Sequence, residues 1–124
     1  MSKIYDNYIK EFGDFLEEYD RGLAGPGKIA SFGCKLVGYL AECGKEQFAL
    51  EVLYNITYRD IIDGIDRQTG KPMAAGKAEV VSEATDEYKN YREAKDNYES
   101  LTQMIAALGR LQKSSMAEMG LSGI

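Results

Sequence analysis

From residue 77 to residue 119 the chain carries no proline and a single glycine, Gly109. Through this stretch Val81, Ala84, Tyr88, Tyr91, Ala94, Tyr98, Leu101, Ile105 and Leu108 recur in steps of three and four residues. Apolar residues at that spacing fall on one face of an α-helix, and roughly eight turns of it exceed the usual length of a globular helix. Such a stripe needs apolar cover. Its burial is worth on the order of ten kcal/mol gross at ~25 cal/mol per Å² of apolar surface. The pattern predicts one long C-terminal helix over 76–119. Part of its seam is expected to lie against other helices of the chain and part against a second copy, as in a coiled coil. Tyr91, Tyr98, Leu101, Ile105 and Leu108 are the residues expected to carry this self-association.

The remaining segments also read as helix. Over 3–21, Ile4, Tyr8, Ile9, Phe12, Phe15, Leu16 and Tyr19 form one face and charged residues the other, with Ser2 as a candidate N-cap. Gly25-Pro26-Gly27 reads as the break. A second helix is expected over 28–42, stopped by Gly44. Residues 52–58 are rich in strand formers, yet a lone strand would have no partner, so 45–63 is read as a third helix. The glycines and proline of 64–75 mark the main loop. After Gly109 the long helix is expected to kink or end. The expected fold is an all-α bundle in one domain over 1–124: N-terminal helices in 1–63, a loop in 64–75 and the long helix in 76–119.

Composition narrows the functional classes. A net charge of −5 argues against a general grip on nucleic acid, which needs a basic face. The chain has no histidine, the commonest general base and neutral metal ligand. The reading is therefore of a non-enzymatic protein with no cofactor and no metal. No segment approaches the ~20 apolar residues of a membrane span, and the N-terminus lacks the apolar core of a signal peptide, so a cytoplasmic location is expected. Cys34 and Cys43, if on one intact helix, point to opposite sides and are expected to stay reduced.

Four sets of residues invite a chemical reading. Gly22 to Gly27 followed by Lys28 matches the glycine and lysine spacing of a phosphate-binding loop, but a helix precedes it and Ile29 stands where that loop needs Ser or Thr. A helix–helix turn is the plainer reading. Glu17, Glu18 and Asp20 resemble half the acidic signature of the all-α nucleotide pyrophosphohydrolases, and Glu83 with Asp86 and Glu93 with Asp96 have the spacing of the other half. That resemblance would imply magnesium-dependent hydrolysis, whereas solvated helix faces explain the same residues. Asp60, Asp63 and Asp66 lack the ligand spacing of a calcium loop and read as a polar helix end. The last set is basic and aromatic: Lys71, Lys77, Tyr88, Arg92, Lys95, Arg110 and Lys113. Cations beside aromatic faces suit a single strand or a nucleotide. Between 77 and 113, however, six basic side chains meet seven acidic ones, and Arg92 has Asp96 at helical spacing.

The stretch from Thr69 to Gln112 contains a T-G-K loop, a K-A-E-V helix start, an A-T-x-E-Y step, an A-K-x-x-x-E repeat and an M-I-x-A-L-x-x-L-Q finish. It resembles small helical proteins encoded by tailed phages and prophages, and its layout is similar to phage recombination mediators. The resemblance implies a helical oligomer accessory to DNA recombination or replication, acting through single-stranded DNA or a protein partner. A phage setting also implies a second class, inhibitors of host defence that bind an immune protein or sequester a signalling nucleotide.

Overall fold

The computed structural model describes residues 3–118, as four helices: α1 (Lys3–Asp20), α2 (Pro26–Ile62), α3 (Ala75–Glu83) and α4 (Asp86–Glu118). The fold is all-α, with a long C-terminal helix, as the periodicity predicts. Ser2 and Met119 lie outside the described residues.

Helix α1 ends at Asp20, one residue short of the expected 3–21. Gly22 has φ 75°, a left-handed conformation in which glycine meets no Cβ penalty. Its N–H donates to the Tyr19 carbonyl at 3.0 Å, and the Leu23 N–H donates to the Glu18 carbonyl at 2.9 Å. This pair of bonds is a Schellman cap, which satisfies two of the last carbonyls of the helix. Pro26 is not a breaker but the first residue of α2, where its fixed φ fits and its missing N–H would have had no partner.

Helix α2 runs for 37 residues and passes straight through Gly44, the expected stop. A glycine inside a helix costs only about 1 kcal/mol, and here Lys45, Glu46 and Gln47, all good helix formers, follow it. The segment rich in strand formers is helical as well. Its half-buried residues, Gln47, Leu50, Glu51, Tyr54, Thr57, Tyr58 and Ile61, keep helical spacing, while Phe48, Val52, Leu53 and Ile56 face outward.

The single helix expected over 76–119 is in fact two helices. Thr85 separates them by serving both ends: its hydroxyl donates to the Ser82 carbonyl at 2.6 Å and accepts from the Tyr88 N–H at 3.2 Å. Thr85 is thus the N-cap of α4. Asp86 and Glu87 follow in the first turn, where the helix dipole favours negative charge. Gly109 neither kinks nor ends α4, which continues to Glu118.

The chain divides into two compact units, Met1–Cys43 with Asn97–Ile124, and Gly44–Asp96. The first has an aliphatic and aromatic core. Tyr8, Phe15, Ala24, Ile29, Leu36, Cys43, Leu101 and Leu108 are buried together. The Phe15 and Phe32 rings stack with centroids 4.7 Å apart, and the Tyr8 hydroxyl donates to the Asn97 carbonyl at 2.9 Å. Leu101 and Leu108 are 0% and 2% exposed. The cover of this part of the α4 seam is therefore supplied by α1 and the first turns of α2, and these two leucines need no second copy.

The second unit is built around tyrosines. The Tyr54 ring stacks on Tyr91 at 5.7 Å with the planes 6° apart, and meets Tyr88 at 5.2 Å in a tilted pair. The Tyr54 hydroxyl lies 3.3 Å from the Ser82 hydroxyl, which donates to the Glu79 carbonyl at 2.8 Å. Ala78 and Ser82, one turn apart on α3, are fully buried. Here hydroxyls and rings fill the space that leucines occupy in the other unit.

Candidate binding surfaces

The loop between α2 and α3 follows the expected 64–75 segment, but its centre is not a polar helix end. Asp66 is buried. Its carboxylate accepts from the Gln68 N–H at 2.9 Å and from the Lys77 ammonium at 2.8 and 2.9 Å. Its backbone N–H donates to the Lys71 carbonyl at 2.8 Å, and the Gly70 N–H returns a 2.7 Å bond to the Asp66 carbonyl. Gly70, at φ 68°, makes the tight turn, and Ile65 pairs with Pro72 in an isolated antiparallel bridge. The Lys77 ammonium also donates to Gln68 Oε1 at 2.7 Å. Lys77, expected to meet a ligand, is thus engaged in fastening the loop to the first turn of α3.

Hydrogen bonding from Lys77, then from the Gln68 amide, holds the Asp66 carboxyl below the usual carboxylate range. A depressed folded pKa adds stability above the unfolded value, about pH 4, and that stability is lost as pH falls through the folded pKa. The thermal midpoint of the wild type is therefore expected to exceed that of Asp66→Asn at neutral pH, with the gap closing below about pH 4. A gap that is unchanged in acid would show that the ion pair does not hold the loop.

The other members of the basic and aromatic set are divided between the two units. Arg92 reaches Asp96 at 3.6 Å on the same helix face, as their spacing predicts. Tyr88 packs on Tyr54 within the second unit. Lys71 is exposed and Lys95 half-buried in the second unit, whereas Arg110 and Lys113 are exposed in the first. Of the residues expected in self-association, Tyr91 is stacked on Tyr54, and Tyr98 and Ile105 pack against the core that buries Leu101 and Leu108.

Among the described residues no three His, Cys, Asp or Glu side chains gather as they would around a metal ion. Lys28 pairs with Glu18 at 3.6 Å, and Ile29 is buried in the core. In the first unit, Glu11 Oε1 accepts from Lys35 at 3.1 Å and from the Tyr39 hydroxyl at 3.3 Å. The hydrogen bond to Glu11 raises the Lys35 pKa; burial, then that carboxylate, raises that of Tyr39. This trio joins α1 to α2. The cysteines form no disulfide; Cys34 is exposed and Cys43 buried. Among the described residues no helix is long and apolar enough to cross a membrane.

Two apolar surfaces stand out instead. In the second unit, Phe48 is 69% exposed, and Val52, Leu53 and Ile56 are exposed beside it on one arc of α2. Side chains at i, i+4 and i+8, here Phe48, Val52 and Ile56, form a ridge along a helix. In the first unit, α2 and α4 border an open groove of about 370 Å³ lined by Ala30, Gly33, Cys34, Val37, Ile105 and Gly109 among others. The helical spacing of Phe48, Val52 and Ile56 puts them on one arc but does not say whether that arc is covered. The available signal was a competing one: Tyr54 and Tyr58 lie on the opposite arc of the same helix and take the inside.

Comparison with protein-family models, with curated proteins and with solved structures finds no match to the chain.

Proposed function

We propose that this chain is a non-enzymatic binding protein that works through protein contact, in a phage-type role accessory to DNA recombination or replication. The exposed arc of Phe48, Val52, Leu53 and Ile56 carries this reading. Contiguous apolar surface held in water is unfavourable and marks places where another macromolecule docks. The basic set supports a single-strand role less well, because Lys77 and Arg92 are already paired with Asp66 and Asp96. Inhibition of a host defence protein would use the same apolar arc, and the identity of the captured partner separates the two roles.

The test compares Phe48→Glu with a triple variant, Lys71→Ala, Lys95→Ala and Arg110→Ala, in cross-linked capture from infected cells and in single-strand binding at low and moderate salt. The expected result is partner capture that is lost in Phe48→Glu and kept in the triple variant, with no salt-dependent single-strand binding. Single-strand binding that strengthens as salt falls and disappears in the triple variant would overturn the proposal in favour of a DNA-binding role.

A further inference from the structure

We infer that the polar cavity between the end of α1 and residues Ser115 and Glu118 of α4 binds the ammonium group of a small aliphatic amine. The inference goes beyond the apolar arc of α2 and does not depend on it.

The cavity lies wholly within the first unit and measures about 420 Å³. Asp20, Gly22, Ala24 and Gly25 line it from the chain around the α1 cap, and Ser115 and Glu118 line it from α4. Ala24 and Ser115, 7% and 8% exposed, form its floor, while both carboxylates stand exposed at its rim. Ser115 carries the argument. A serine or threonine inside a helix commonly bonds its hydroxyl to a carbonyl of the preceding turn. Thr57 and Thr102 do so, donating to the Leu53 and Tyr98 carbonyls at 3.0 and 2.9 Å. The Ser115 hydroxyl lies deeper and has no such bond, nor any other partner among the described residues. A buried hydroxyl left unpaired is costly, and the cavity that Ser115 lines is where its partner can sit.

The other groups there call for a positive charge. Asp20 and Glu118 enter none of the ion pairs among the described residues. Arg21 and Lys113 are exposed and do not line the cavity. The last turn of α1 holds no basic residue to balance the negative end of the helix dipole. The Asp20 and Gly22 carbonyls accept no backbone N–H. Two carboxylates are fewer than a metal cage gathers, in keeping with the absence of any such group of three among the described residues. The volume is that of a small-molecule site, far more than a bare ion fills. An alkylammonium has three N–H donors and no acceptor. Carboxylates, carbonyls and a hydroxyl that can accept are its complement.

The test is calorimetry and amide NMR on the full chain at fixed ionic strength. The probes are 1,4-diaminobutane, a free amine, and Nα-acetyl-lysine methylamide, which presents a lysine side chain. One saturable site per chain is expected, with the Gly22, Gly25 and Ser115 amides shifting most. Asp20→Asn, Glu118→Gln and Ser115→Ala are each expected to weaken binding at least about tenfold, with circular dichroism showing them folded. Glu17→Gln removes an exposed carboxylate of α1 that lies outside the cavity, and should leave binding unchanged. The diamine is expected to bind the tighter, because the cavity offers a carboxylate to each of its ammonium groups. Tighter binding of the lysine compound would overturn the assignment to a small amine. Binding that never saturates, an equal loss in Glu17→Gln, or calcium ions shifting these amides where amines shift none would each overturn the site itself.

Discussion

Replacing Leu101 by alanine is expected to lower the free energy of unfolding by about 3–5 kcal/mol, the upper part of the range for a large-to-small change in a core. Leu101 is 0% exposed and lies in the cluster formed by Tyr8, Phe15, Ile29, Leu36 and Leu108. Removing its side chain takes away apolar contact on several sides. The neighbours come from α1 and α2 as well as α4 and cannot all move inward together, so a cavity remains. Urea denaturation measures the loss. Because the cover comes from the chain itself, the difference between wild type and variant is expected to be the same at every protein concentration. A difference that grows with concentration would mean that a second copy covers Leu101.

The second large effect is expected at Tyr54. Tyr54→Ala removes the ring that packs on both Tyr88 and Tyr91, and the hydroxyl that meets buried Ser82. A loss of about 2–4 kcal/mol follows from the aromatic area and the ring pairs. Tyr54→Phe keeps the rings and gives up only the hydrogen bond, about 1 kcal/mol. Amide hydrogen exchange reads where the loss falls. Tyr54→Ala should speed exchange in α3 and in the first turns of α4, while the amides around Leu36 and Leu108 keep their protection. Uniform acceleration along the whole chain would contradict a tyrosine centre that belongs to Gly44–Asp96.

Much of the fold is legible in the residue pattern because the helix period is long and repeated. The α1 face of Tyr8, Phe12, Phe15 and Tyr19, the loop over 64–75 and the α4 seam through Leu101 and Leu108 all follow from spacing. What escapes is punctuation, since one residue type can end a helix or be carried inside it. Gly22 caps α1 while Gly44 is absorbed within α2. The difference lies in the backbone: Gly22 takes the left-handed conformation that lets its N–H and that of Leu23 cap α1, whereas Gly44 keeps the helical one. Thr85 splits the C-terminal helix with two hydrogen bonds from one hydroxyl, a cap concealed among strong helix formers.

The binding surfaces were less legible than the fold. Lys77 and Lys71 look alike in sequence, and only the loop geometry spends one of them on Asp66. Phe48, Val52 and Ile56 look like core by composition and spacing. An amphipathic pattern identifies an apolar face but not its cover, and α2 is apolar on more than one arc. The tyrosine arc takes the inside of the second unit, so the aliphatic arc is left facing water.

The most direct measurement of this arrangement is hydroxyl-radical footprinting at a protein concentration low enough to keep the chain monomeric. Strong modification of Phe48, with Leu101, Leu108 and Tyr8 protected, is the pattern that a seam closed by the chain itself and an open outer arc on α2 require. Protected Phe48 together with modified Leu101 would place the open apolar face on α4 instead and contradict the account.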